Sequence, residues 1–424
     1  MKQIYFCLII LICCPVYLAA GGFQVTLQGQ KQTGMGHVGV AVPLDASAVF
    51  FNPGAMAFLK TPKINFGISP VFANINFQQA STGISSSNEP IVGTPFGAYY
   101  TMPFSQKKDA FWSQFSFGLA INTPFGSSIA YPNEWIGRFL AQKVSLTTLL
   151  IQPSLSINVQ DKLGVGVGLS YGVGNFSIQR AAPLYDTNGA EGQLNLKGSG
   201  RGAGLNIGVY VEPIVEKLAF GVSYRTTIGV PLENGDATFD VPEAVASLFP
   251  ATTFSSFVTL PDVMSFGLTY YTKTQTGNLD KSKASFVSVE INRVGWSVYK
   301  ELKFSFAEPV GGAGSLASAR RYEDNYTFRL GYQHFINEKM TMRAGASYDL
   351  SAAPDCCVTP ETPDANKLGF SIGATIRPTN KIDIDASFLW VETIERTTIN
   401  TEANFEATYK TRAFVPGIGV QYSF

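Results

Sequence analysis

Leu218-Ala219-Phe220-Gly221-Val222-Ser223-Tyr224-Arg225 is the stretch that decides the fold. Every second residue is large and apolar, and those between are small or polar. Tyr326-Thr327-Phe328-Arg329-Leu330-Gly331-Tyr332-Gln333 repeats the pattern, and so does the run from Met340 to Asp349. A period of two sends alternate side chains to opposite faces of a strand. A soluble sandwich turns the apolar set inward. A membrane barrel turns it outward to lipid and gives the polar set to the lumen. Aromatics near strand ends, at Tyr270, Tyr271, Tyr348, Trp390, Tyr422 and Phe424, suit the girdles at the two membrane interfaces.

Composition favours the membrane. Of 424 residues 45% are hydrophobic and 13% aromatic, while only 15% are charged, against about 25% in a soluble domain. Lys+Arg and Asp+Glu both number 31, so the cationic footprint of a nucleic-acid binder is missing. Lys2 followed by the apolar run Ile4 to Ala20 and the small residues Ala19 to Gly22 reads as a secretory signal peptide over 1–21. Ile12 and Cys13 before Cys14 make a poor lipidation site. No later stretch offers 18 uncharged apolar residues, so spanning helices are not expected. Past the signal only Cys356 and Cys357 remain. They form either a vicinal disulfide or two chemically idle loop thiols.

The connections separate barrel from sandwich. Alternating spans lie near 64–77, 96–103, 111–122, 146–159, 163–179, 193–211, 218–230, 261–272, 284–294, 322–335, 339–349, 367–377, 381–392 and 408–424. That makes fourteen, an even number. Short links at 105–110, 160–162, 212–217, 336–338 and 378–380, with a longer one at 273–283, alternate with long ones at 122–145, 231–260, 295–321, 350–366 and 393–407. Short turns at one end and long loops at the other are the outer-membrane barrel pattern. The expected fold is all-β: a 14-stranded antiparallel transmembrane β-barrel over 61–424.

Residues 22–60 break the pattern. They lack sustained alternation and carry Gly34, Gly36, Gly39, Pro43, Pro53 and Gly54. A barrel of fourteen strands leaves a lumen that side chains alone do not fill, and a compact segment of this size would plug it. We therefore expect an N-terminal hatch inside the barrel. The closing run, Gly417 to Phe424, alternates and ends in an aromatic. It resembles the C-terminal signal of outer-membrane barrels, which implies insertion by the barrel-assembly machinery.

Gly22-Phe23-Gln24-Val25, Thr33-Gly34-Met35-Gly36, Asp45-Ala46-Ser47-Ala48 and Asn52-Pro53-Gly54 resemble the hatch of FadL-type long-chain fatty-acid transporters, a family that includes channels for toluene and other aromatic hydrocarbons. The likeness continues in order through Thr123–Gly126, Trp135–Phe139, Gln152–Leu155, Gly221–Arg225, Glu290–Trp296, Arg343–Asp349 and the last strand. The family usually has Asn-Pro-Ala where this chain has Asn52-Pro53-Gly54, and the loops match poorly. The resemblance implies a monomer in the outer membrane of a Gram-negative bacterium, among lipid and lipopolysaccharide. A hydrophobic molecule would be captured at the outer loops and would pass to a lumen pocket. It would then leave sideways through a gap beside an inward kink in the third strand, with hatch movement coupling binding to release. No cofactor, metal or catalytic residue is implied.

Asn52-Pro53-Gly54 joins a side chain that caps a turn, a fixed φ and a residue free to take φ > 0. It is either an ordinary tight turn or, by the resemblance, the gating part of the hatch. On the same basis Gly22 and Phe23 are pocket neighbours. Gly118 is the candidate for the kink, since glycine weakens or bends a strand. Arg225, Arg329 and Arg343 fall on the lumen face by parity, with Asp349. They either hold a ligand carboxylate or pair with other lumen charges and hatch carboxylates such as Asp45. Arg138, between Trp135 and Phe139 in the first long loop, is the candidate for an outer capture groove. His37 and His334 sit in no catalytic or metal-binding pattern. The competing readings are a porin for small hydrophilic solutes and a loop-mediated adhesin. A barrel enzyme lacks its constellation, and energised transporters need about 22 strands.

Overall fold

A computed structural model describes residues 22–105, 111–273 and 280–424. The proposed signal peptide and parts of two expected short turns, 106–110 and 274–279, lie outside the described residues.

Fourteen strands run in chain order around a closed wall: β1 (Lys63–Ile68, continued as Val71–Gln78), β2 (Phe96–Pro103), β3 (Phe115–Asn122), β4 (Lys143–Val159), β5 (Leu163–Tyr185), β6 (Glu191–Ile214), β7 (Leu218–Arg225), β8 (Val263–Lys273), β9 (Ser285–Val294), β10 (Asn325–Asn337), β11 (Met340–Asp349), β12 (Lys367–Thr379), β13 (Ile382–Thr393) and β14 (Phe405–Ser423). Every ladder is antiparallel, and β1 closes the circle by pairing Lys63 with Thr101 of β2 and with Ser423 of β14. Closure joins the first strand to the last, so neither is left as a free sheet edge in the apolar solvent, where each unsatisfied backbone group would cost several kcal/mol.

All fourteen expected spans fall on these strands, and the ends differ in instructive places. β5 and β6 run on to Tyr185 and back from Glu191, well past the roughly ten residues a bilayer needs, because they keep pairing with each other beyond it. The seventh span breaks after Arg225 and resumes as Ile228–Asp240 among the loops. In the third, Phe111–Gln114 is a 3-10 turn rather than strand.

The two faces sort as the alternation predicts. In β7, Phe220, Val222 and Tyr224 are exposed, while Ala219, Ser223 and Arg225 are buried. In β10, Tyr326, Phe328, Leu330 and Tyr332 face outward, and Thr327, Arg329 and Gln333 are buried. The exposed set is the lipid-facing surface; the buried polar set needs partners inside.

Residues 22–59 supply those partners. They form three short helices, α1 (Gln30–Thr33), α2 (Ala48–Phe51) and α3 (Pro53–Met56). From residue 28 on, nearly all of the segment is buried. It touches the wall around its circumference. Lys31 Nζ lies 2.6 Å from Asp383 of β13, and the Gly36 amide donates to Ser371 of β12. The Gly39 and Val40 amides donate to Glu290 of β9, at 2.9 and 3.0 Å. Asn206 of β6 and Gln152 of β4 donate to the Phe50 and Val49 carbonyls. The lumen holds a hatch. Asp45, one of the partners considered for the lumen arginines, makes no ion pair with them among the described residues: its carboxylate accepts from the Ser47 amide and hydroxyl and from Gln32, inside the segment itself.

Candidate functional site

Above the hatch, toward the long loops, the lumen opens into a chamber of about 720 Å³. Val71, Ile75, Phe96, Phe125, Leu146 and Val415 give it apolar walls, and Gln24 to Leu27 with His37 form part of its floor. Arg329, Asp349 and Lys367 supply charge on one side. Both cations there are already matched. Arg329 lies 3.3 Å from Glu290 and donates to the His37 carbonyl, and Lys367 sits 3.6 Å from Asp349 and 3.9 Å from Asp364.

A second, smaller cavity of about 40 Å³ shares Gln24, Val25, Thr26, His37 and Arg329 with the chamber and adds Arg225, Ser223, Ser265, Asn292 and Glu290, the last paired with Arg329. Arg225 is 7% exposed. Its guanidinium lies 4.0 Å from the Phe50 ring centroid and donates to the Phe50 carbonyl at 2.9 Å. It has no carboxylate partner and its Nε–H has no acceptor among the described residues. A buried cation without a counter-ion is costly, and a bound carboxylate would offset that cost.

The chamber reaches the wall at a gap. β3 pairs with β2 only as far as Asn122 opposite Gly97. Its continuation, Gly126–Ala130, pairs with β4 alone and is shifted by one residue in register. Between them the chain turns inward to the N-terminal residues: the Val25 amide donates to Pro124, and the Gly126 amide to Phe23. No ladder joins 90–95 to 124–129 among the described residues. The window is bounded on one side by the Phe96 amide on Thr123 Oγ1 and on the other by the Glu89 amide on the Ala130 carbonyl.

The kink therefore lies at Thr123–Phe125 and not at Gly118. Gly118 keeps regular register between Thr101 and Ser154. It is a glycine for another reason: a Cβ there would press into Met56 and Val49 of the hatch. The signal for the true kink was Pro124, which has no amide to give a ladder.

Asn52-Pro53-Gly54 is a docking knob. The Asn52 Oδ1 accepts from the Gly54 and Ala55 amides and caps α3, with Pro53 at its first position. Its Nδ2 donates to the Val40 and Val209 carbonyls, at 2.8 and 2.9 Å. Gly54 does not use positive φ. A Cβ on it would lie 2.6 Å from the Gly208 carbonyl oxygen and 2.7 Å from that of Gly164. Its missing side chain allows contact with a glycine-lined trough on β5 and β6.

The other candidates divide. Arg225 and Arg329 meet at the small cavity, whereas Arg343 lies near the short-turn end, held by Gln333 and Thr375 with Asp385 4.0 Å away. Phe23 packs edge-on to Trp296 at 4.7 Å and Tyr299 at 5.7 Å, and Gly22 abuts the Trp296 indole. Trp135 is buried, stacked on Tyr131 at 4.1 Å. Arg138 covers the Phe139 ring and makes a two-pronged pair with Glu191. Trp135 and Arg138 are thus engaged in packing within the loop and against Glu191. The outer cavity lies nearby, about 220 Å³, lined by Leu194, Leu196, Leu302 and Phe304 with Arg180 and Arg320. The sequence did not reveal it, because those residues come from the 295–321 loop and from the outer extensions of β5 and β6. Cys356 and Cys357 are joined in a disulfide within the 350–366 loop.

A closed wall of fourteen strands, greasy outside and stoppered within, defines an outer-membrane β-barrel of the plugged kind. The outer membrane protein transport protein family (OMPP1/FadL/TodX) matches residues 11–424, and the chain belongs to it. The chain is 27% identical to the 47 kDa outer membrane protein of Pasteurella multocida, over 96% of this chain and 95% of that one. It is 22% identical to a long-chain fatty acid transport protein of Escherichia coli, again over 96% and 95%. In fold it resembles a Pseudomonas aeruginosa FadL homologue, with a TM-score of 0.80 at 16% identity, covering 95% of this chain and 100% of that one. It also resembles the Pseudomonas putida toluene transporter TodX, with a TM-score of 0.69 at 13% identity over 93% and 98%.

Proposed function

We propose that this protein carries long-chain fatty acids across the outer membrane, down their gradient. The tail occupies the apolar chamber and the carboxylate faces Arg225 in the adjoining polar cavity. The ligand enters from the outer cavity and leaves sideways through the window at 124–129. One observation carries this reading: an apolar chamber adjoins a small cavity in which Arg329 is paired with Glu290 while the buried Arg225 has no acidic partner among the described residues.

The energetics favour such a route over a water-filled pore. Each buried CH₂ contributes about 0.8 kcal/mol, so a tail of a dozen methylenes gains on the order of 10 kcal/mol. A side exit passes it from one dry environment to another. The knob at Asn52–Gly54 sets how far the hatch yields, and the monomer leaves the window free to face lipid. Aromatic hydrocarbons are the second reading, supported by the matched charges of Arg329 and Lys367 within the chamber.

Uptake into proteoliposomes of labelled oleate, toluene and sucrose separates these. Oleate uptake that exceeds sucrose flux supports transport of hydrophobic cargo. Sucrose flux without oleate uptake overturns it, and toluene uptake without oleate uptake selects the second reading.

A further inference from the structure

His37 is the one imidazole of the hatch, and it lines both the chamber and the small cavity. It is 8% exposed. Its Nε2 accepts a hydrogen bond from the Gln28 backbone amide at 3.2 Å. A backbone amide only donates, so Nε2 carries no proton and the proton of the neutral ring sits on Nδ1. Nδ1 has no partner among the described residues. The ring is kept neutral by burial and by the nearby guanidinium groups of Arg329 and Arg225, which together hold its pKa well below the ordinary imidazole value. Its orientation is fixed further by the Phe51 ring, 4.9 Å away, and by the Arg329 donation to its own carbonyl.

His37 and Arg225 both line the small cavity, and the His37 Nδ1–H and the Arg225 Nε–H are buried without acceptors among the described residues. We propose that His37 is a specificity-determining residue, donating its Nδ1–H to an oxygen of the carboxyl head while Arg225 binds the same group. This rests on the fatty-acid reading of the chamber and adds to it the residue that selects oxygen-bearing amphiphiles over bare hydrocarbons. The inference comes from the Gln28 amide: with a donor on Nε2, the ring can offer its ligand only a donor and never an acceptor.

The test uses the full-length protein in detergent and three probes of equal tail length: dodecanoate, methyl dodecanoate and dodecane. Wild type should bind dodecanoate at least tenfold more tightly than dodecane. His37→Phe should lose about tenfold in dodecanoate affinity and stay within twofold for dodecane. If wild type shows no preference for dodecanoate over dodecane, the fatty-acid reading itself fails. If wild type discriminates and His37→Phe discriminates equally, the role of His37 alone is refuted. Should His37→Phe not assemble, nitrogen-15 spectra of the imidazole, in a His334→Gln background that leaves one histidine, decide the matter. Protonated Nδ1 and bare Nε2, with the Nδ1 signal moving on addition of dodecanoate, support the proposal. The opposite tautomer, or an Nδ1 signal indifferent to dodecanoate, overturns it.

Discussion

Replacing Asn52 by Ala tests whether the knob at Asn52–Gly54 anchors the hatch. The side chain makes four hydrogen bonds: it accepts from the Gly54 and Ala55 amides and donates to the Val40 and Val209 carbonyls. Loss of an N-cap costs about 1 kcal/mol. A buried carbonyl left without a donor, here that of Val40, costs about 1–3 kcal/mol more. The total, about 3 kcal/mol, raises the opening equilibrium of α3 from the trough on β5 and β6 on the order of 100-fold. Hydrogen exchange of the Gly54 and Ala55 amides reads this directly, with the Leu268 amide on β8 of the wall as control. We expect the hatch amides to lose about 100-fold in protection while the wall keeps its own, and oleate uptake to change with them. Asn52→Ser keeps a cap acceptor but loses both donations, and should fall between. Unchanged protection in Asn52→Ala would refute the anchoring argument. Equal loss throughout the wall would show that the knob supports the whole barrel and not the hatch alone.

Lys31→Met removes a fully buried ammonium from Asp383 and Asp385, 2.6 and 3.7 Å away. Breaking a buried pair costs about 3–5 kcal/mol, so bilayer recordings should show ion leakage absent from wild type; a tight variant would mean that the hatch is held elsewhere. Burial pushes the Asp364 carboxyl, in the 350–366 loop, up to about 6. A raised carboxyl favours its protonated form in the folded loop, so the loop loses stability as pH rises from about 4 through 6, by at most about 3 kcal/mol. Protection of the Ala352 and Ala353 amides, which donate to Asp364, should therefore be greater at pH 4 than at pH 7, and Asp364→Asn should flatten the profile; an unchanged profile in that variant counts against the burial argument. Arg138→Ala removes a partly exposed pair with Glu191, worth less than about 1 kcal/mol. Oleate uptake should stay within twofold, and a large loss would support a capture role for Arg138.

The barrel was legible because its solvent is apolar on the outside. Each strand must show its lipid face, so Phe220, Val222 and Tyr224 recur at every second position. The hatch was legible as a break in that rhythm. The lumen was harder. Parity placed Arg225, Arg329 and Arg343 on one face, yet it carried no information about depth. Arg343 proved to belong to the short-turn end with Asp385, and only the first two share a cavity. Gly118 was misread as a hinge because a glycine that admits a neighbour and one that bends a strand look identical in sequence. The trio of Trp135, Arg138 and Phe139 carries a similar ambiguity: an aromatic loop residue is as ready to pack on Tyr131 as on a ligand.

The sequence by itself determined the alternation, the number of strands, the sorting of loops to one end and the presence of a plug, because these depend on short-range periodicity and on the solvent each face meets. Only the tertiary structure decided which charges find partners, where the wall parts and which ring nitrogen of His37 holds the proton. Those properties belong to groups hundreds of residues apart, such as Lys31 and Asp383 or His37 and Arg329. Their meeting is fixed by the closure of the barrel and the seating of the hatch, and by no local pattern along the chain.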